Sequence, residues 1–85
     1  MAKTKITQKE LKQVLTERLK LDSPTFQLEN HGGKVSGSVI SETFVGWDSA
    51  KRQERVWHAL QQEYGGEAVM IVGALLLYTP NEWNN

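Results

Sequence analysis

The chain has no cysteine, which excludes disulfides, thiolate metal sites and cysteine nucleophiles within it. It has no excess of either charge: Lys and Arg total 10, as do Asp and Glu. A neutral chain is a poor start for a nucleic-acid binder whose affinity comes from many phosphate contacts, although a local basic face is compatible with neutrality. Long apolar runs are scarce too. The only one, Ala68 to Tyr78, is too short and too glycine-interrupted to span a bilayer as a helix. No apolar signal core follows Met1-Ala2-Lys3-Thr4-Lys5, so the expectation is a cytoplasmic protein without membrane contact. Catalytic signatures are missing as well. His31-Gly32-Gly33-Lys34 lacks P-loop spacing, no context poises a serine, and the carboxylates are scattered as on solvated faces. These absences point away from an enzyme.

What is present reads as one small domain over 1–85, with residues 1–6 a frayed start. The apolar run organises the rest. Val69, Ile71 and Val72 are β-branched, and Gly65-Gly66 and Pro80 punctuate its ends, so a buried strand covered on both faces is expected from Ala68. Gly73 within it predicts a bulge or a close backbone contact.

Thr7-Gln8-Lys9-Glu10 fits a capping box, with Ile6 and Leu11 as its hydrophobic staple. Leu11, Val14, Leu15 and Leu19 then follow helical spacing, and Pro24 sets a stop near Leu21. Thr25 to Asn30 alternates, His31-Gly32-Gly33 is a turn, and Lys34 to Ser41 is a second strand, which together make a hairpin. Phe44 and Val45 are expected to pack in the connector that follows. Asp48 or Ser49 caps a helix whose apolar stripe is Ala50, Val56, Trp57, Leu60 and Tyr64, with Lys51, Arg52 and Arg55 mainly outside it. Pro80 to Trp83 is a short terminal turn. The order helix-strand-strand-helix-strand predicts an α+β two-layer sandwich with a three-stranded mixed sheet, the last strand parallel to one strand of the hairpin.

Three segments resemble the BolA family. Val39-Ile40-Ser41-Glu42-Thr43-Phe44-Val45-Gly46 looks like its strand ending in Val-Ser-x-x-Phe-x-Gly. Arg52 to Tyr64 is similar to its Arg-rich helix closing in Leu-x-x-Glu, and Ala74 to Trp83 is similar to its ending Ala-Leu-x-x-x-Tyr-Thr-Pro-x-Glu-Trp. The resemblance runs from about Leu11 to Trp83 and is most specific at the ending. It implies a class II KH-like fold and a non-enzymatic role in iron–sulfur homeostasis, redox regulation and stress response. It also implies a monothiol glutaredoxin partner, a two-iron two-sulfur cluster shared with that partner and, in some members, DNA binding.

The departures bear on function. Counting back from Trp83, Ile71 stands where the family places its ligand histidine, and Ile cannot ligate iron. The helix's Arg-His-Arg signature reads Arg52-Gln53-Glu54. His31 lies in the hairpin loop where the family often carries a second Cys or His. It is the one candidate metal ligand, against the plainer reading of an exposed turn histidine. His58 reads as a surface histidine. The connector Gly46-Trp47-Asp48-Ser49 lacks the second glycine of the backbone-clamping KH loop. The nucleic-acid alternative therefore rests on Lys51, Arg52 and Arg55, a cluster that is more often simply a solvated face and is offset here by Glu54. Ala74, Leu76 and Tyr78 alternate away from Leu75 and Leu77. With Ser36, Ser38 and Ile40 they predict a mixed outer sheet face on which Leu76 is a candidate for weak homodimerisation.

Overall fold

The computed structural model describes residues 6–84. Helix α1 spans Gln8–Leu19, and the Thr7 capping box is formed: the Thr7 hydroxyl accepts from the Glu10 amide and the Glu10 carboxylate accepts from the Thr7 amide. Ile6 is buried beside Leu11 and Leu15 in the core. The staple is therefore seated, and an irregular start cannot include Ile6; residues 1–5 lie outside the described residues. Lys20 ends α1 in the left-handed conformation, before Pro24 is reached.

Strands β1 (Thr25–His31) and β2 (Lys34–Ile40) form an antiparallel hairpin. Its two-residue turn has φ of +56° at Gly32 and +83° at Gly33, the positive pair whose twist matches that of the flanking strands. His31 therefore belongs to the strand, opposite Lys34, rather than to the turn.

The Val-Ser-x-x-Phe corner follows. Ser41, fully buried, donates to the Asp22 carbonyl at 2.8 Å and accepts from the Thr43 amide, starting a 3-10 turn over Glu42–Phe44. That turn drops Phe44 into the core, but Val45 points to solvent, contrary to expectation, because the chain leaves the turn extended. Helix α2 (Ser49–Tyr64) is capped by the Asp48 side chain on the Lys51 amide. Its buried face is Val56, Ala59 and Leu60 with Trp57 and Tyr64 at the margins; Ala50 is exposed, not part of the stripe.

The apolar run divides. After a 3-10 turn at Gly65–Glu67, Ala68–Ile71 is a helical turn, α3, and strand β3 begins only at Val72 and ends at Tyr78. Ala68 and Ile71, three apart, are buried while Val69 and Met70 face outward. The strand expected from Ala68 is therefore corrected: a run this short has no periodicity that separates one helical turn from a strand. β3 pairs parallel to β2, and the sheet order is β1-β2-β3. Between Val35 and Gly37 β2 advances two residues while β3 advances three, from Val72 to Leu75. This is the bulge expected at Gly73, and a Cβ there would collide with the Ser36 hydroxyl.

Helices α1 and α2 and the turn α3 cover the face carrying Val35, Val39, Val72, Leu75 and Leu77, which join Leu11, Leu15, Val56 and Leu60 in the core. Leu76 on the opposite face is 52% exposed, so β3 is covered on one face, not two. Helix α4 (Pro80–Trp83) closes the described chain, with a second capping box between Thr79 and Glu82. The architecture is the α+β sandwich with a three-stranded mixed sheet.

Candidate functional site

The densest polar constellation sits where α2 meets β3. Arg52, one turn into α2, is only 11% exposed at its side chain. Its Nε donates to the Trp47 carbonyl at 2.8 Å, and Nη1 donates to the Leu77 carbonyl at 3.1 Å and to Glu82 Oε1 at 2.6 Å. Nη2 donates to Glu82 Oε2 at 3.2 Å, and the guanidinium lies 5.9 Å from the Phe44 ring centre. The planar fork suits this role, because it satisfies two carbonyls and a carboxylate at once. Glu82 is held from the other side by the Thr79 amide at 2.8 Å. The hydrogen bonds from Arg52, followed by that amide, pull the Glu82 carboxyl down to about 2.

Next to it, Gln53 donates to the Leu75 carbonyl at 2.8 Å and accepts from the Trp57 indole at 3.2 Å. Arg52 and Gln53 thus satisfy the outward carbonyls of Leu77 and Leu75. Hydropathy places Arg52 on the solvent side of α2 and assigns Gln53 to neither side. The signal that could have found them was the pairing of Arg52 with Glu82, both of which belong to the segments that carry the family resemblance.

The three basic residues of the nucleic-acid alternative are not brought together as a free cluster. Arg52 is engaged as described. Lys51 lies over the Trp47 ring at 5.2 Å from its centre. Arg55 is exposed and shares a shallow depression with Glu54 and His58.

At the position of the family's ligand histidine, Ile71 is fully buried in the core and offers no donor atom. His31 is 68% exposed at its side chain, with Nε2 at 3.2 Å from Glu29 Oε2. Among the described residues no group of three or more His, Asp or Glu side chains is placed to hold a metal ion. These residues do not fit an iron–sulfur cluster held in the family's manner: one position is hydrocarbon, and the other imidazole is a lone surface group.

Two surface features complete the picture. A groove of about 820 Å³ between α1 and α2 is lined by Glu10, Glu17, Glu63 and Glu67, with Val14 and Tyr64 as its less polar part. Arg18 crosses it to Glu63 at 2.9 Å. Burial, then the Glu63 and Glu10 carboxylates, pushes the Tyr64 hydroxyl up to about 12. On the outer sheet face Trp83 packs against Tyr78, with ring centres 5.4 Å apart, and Leu76 stays exposed. Ser38 and Ile40 on that face are buried, so its exposed apolar part is narrower than expected. Among the described residues no helix is long and apolar enough to cross a membrane.

No protein-family model and no curated protein matches the sequence. Solved structures do. A BolA protein homologue from Coxiella burnetii superposes with a TM-score of 0.65 at 25% identity, over 94% of this chain and 99% of that one. The BolA domain of SufE1 from Arabidopsis thaliana superposes with a TM-score of 0.60 at 17% identity, over 91% of this chain and 98% of that domain's chain, a likeness of fold. The element order and the mixed sheet agree with these matches, so the chain is BolA-like in fold, and Ile71 stands where the sequence resemblance places the ligand histidine.

Proposed function

We propose that this BolA-like chain is a non-enzymatic, cytoplasmic protein-interaction module of iron–sulfur and redox regulation, and that it meets its partner without donating the usual ligand to a cluster. The observation that carries the reading is the state of the helical turn at Ala68–Ile71. Where the family resemblance places a histidine, Ile71 is turned into the core, and beside it Val69 and Met70 are 57% and 65% exposed. Hydrocarbon on a protein surface supports contact with another protein surface and not with a metal. The resemblance names a monothiol glutaredoxin as the partner class.

The test is to titrate the chain with a glutathione-loaded monothiol glutaredoxin, with and without iron and sulfide, following heat and visible absorption together. The hypothesis expects binding heat in both conditions, no His-ligated cluster spectrum, and weaker binding for Met70→Glu. A cluster spectrum that forms with wild type and disappears in His31→Ala would mean that the hairpin supplies the ligand, and the reading would fail. No heat in either condition would remove the glutaredoxin.

A further inference from the structure

We propose that the free edge of β1 pairs with the β1 edge of a second copy of this chain, antiparallel about a two-fold axis at Leu28, joining two three-stranded sheets into one of six strands. The inference is independent of the glutaredoxin reading and uses a different surface.

The direction of the backbone groups follows from the hairpin. In a two-residue hairpin the pair that closes the turn, here His31 and Lys34, exchanges hydrogen bonds, and hydrogen-bonded and non-bonded pairs then alternate along the strands. Thr25, Gln27, Glu29 and His31 therefore aim their N–H and C=O groups at β2. In agreement, the Gln27 carbonyl oxygen is the atom that a Cβ on Gly37 would strike. Phe26, Leu28 and Asn30 aim theirs the other way. β1 is the outermost strand, and among the described residues no strand pairs with that side.

Natural sheets protect such an edge with charged side chains, lysine above all, or with proline, a bulge or short length. β1 carries a single carboxylate, Glu29, which faces His31, and none of the other devices: it runs seven residues, Thr-Phe-Gln-Leu-Glu-Asn-His, in unbroken register with β2. Phe26 and Leu28 are only partly buried, so they retain apolar surface for a neighbour to cover.

Charge favours a second copy as that neighbour. The chain's net charge is zero, so copies do not repel one another as whole bodies. Centring the axis on Leu28 places Gln27 opposite Glu29 of the other copy, Thr25 opposite His31, and Phe26 opposite Asn30. No like charges face each other, and the helix-side residues of one copy meet the helix-side residues of the other. The assembly also closes. The pairing consumes the β1 edge, and at the other edge, β3, the Leu75 and Leu77 carbonyls are already taken by Gln53 and Arg52.

The test reads the register through the exposed outer-face residue Gln27. Sedimentation velocity on the full chain over a concentration series gives the dimer dissociation constant for wild type, Gln27→Lys and Gln27→Glu. By symmetry each substitution acts twice. Lys opposite Glu29 should tighten the dimer and Glu opposite Glu29 should weaken it, each by roughly 2- to 30-fold. Hydrogen exchange supplies a second reading: the amides of Phe26, Leu28 and Asn30 should gain protection as concentration rises. A chain that stays monomeric to millimolar concentration with those amides exchanging freely overturns the proposal. So does a dimer that ignores both Gln27 variants and is lost in Leu76→Lys, which would place self-association on the outer sheet face.

Discussion

The two edges of the sheet are built differently. At β3 the outward carbonyls of Leu75 and Leu77 accept from Gln53 and Arg52, and a bulge interrupts the start of the strand. At β1 there is neither a bulge nor a covering side chain from α2. The difference follows from connectivity. Strands β2 and β3 are parallel, so the chain between them must cross over, and α2 is that crossover. Its first turn lands beside β3 and can carry side chains to the β3 backbone. The hairpin strand β1 is joined to β2 by two glycines, and among the described residues no crossover element passes its outer side. Protection of an edge here is a by-product of topology, made effective by two polar residues at the start of one helix.

The largest expected effect separates the strands by their share of the core. Leu75 is 2% exposed within the main cluster, so Leu75→Ala should cost ~2–5 kcal/mol through lost burial and the cavity left behind. Leu28 on β1 is only partly buried, and Leu28→Ala should cost less, ~1–2 kcal/mol. Urea denaturation of the two variants decides it. Equal losses would mean that β1 is as much a part of the core as β3.

A second, smaller effect concerns the cover over β3. Arg52→Ala leaves the Leu77 and Trp47 carbonyls and the Glu82 carboxylate without their shared donor, a loss of ~1–3 kcal/mol if water does not replace it fully. Arg52→Lys should recover only part of the loss, because an ammonium cannot donate in three directions from one plane. Thermal melts test this, and an unchanged Tm for Arg52→Ala would show that the contacts are incidental and that β3 is no better protected than β1.

Much of this architecture was legible in local chemistry. The Thr7–Glu10 box, the Gly32-Gly33 turn, the Asp48 cap and the Pro80 start each specify one backbone geometry, and each element formed where those residues stand. The failures have a common cause. Ala68 to Ile71, Ala50 and Val45 were read by hydropathy, which cannot decide a single helical turn or tell which small apolar residue is reached by the core. Arg52 reads as solvent-facing because its side chain is charged, and Gln53 gives no signal of its own. Their partners are backbone carbonyls of a strand more than 20 residues away, and no periodic pattern encodes that. At the candidate cluster position the identity of Ile71 was visible in the sequence, whereas its burial beside exposed Val69 and Met70 required the helical turn to be known.

The smallest expected effect distinguishes the edges by acid. Glu82 is held at about 2 in the folded chain, against an ordinary 4.5. Because the folded value is depressed, the contribution of its ionised form is present above about 4.5 and is lost as pH falls toward 2. Glu82→Gln keeps an N3 side chain able to cap Thr79 but removes the charge that faces Arg52. The variant should therefore be less stable than wild type near neutral pH, and the two should converge as pH falls from 4.5 to 2. Glu29, the acid on the other edge, faces His31 with both side chains more than two-thirds exposed, a setting in which ion pairs contribute little. Glu29→Gln should track wild type throughout the same range. Urea midpoints for the three proteins at several acid pH values make the comparison. If Glu29→Gln loses as much as Glu82→Gln, or if the gap for Glu82→Gln persists at the lowest pH, then the Arg52–Glu82 pair is not what sets the β3 edge apart from β1.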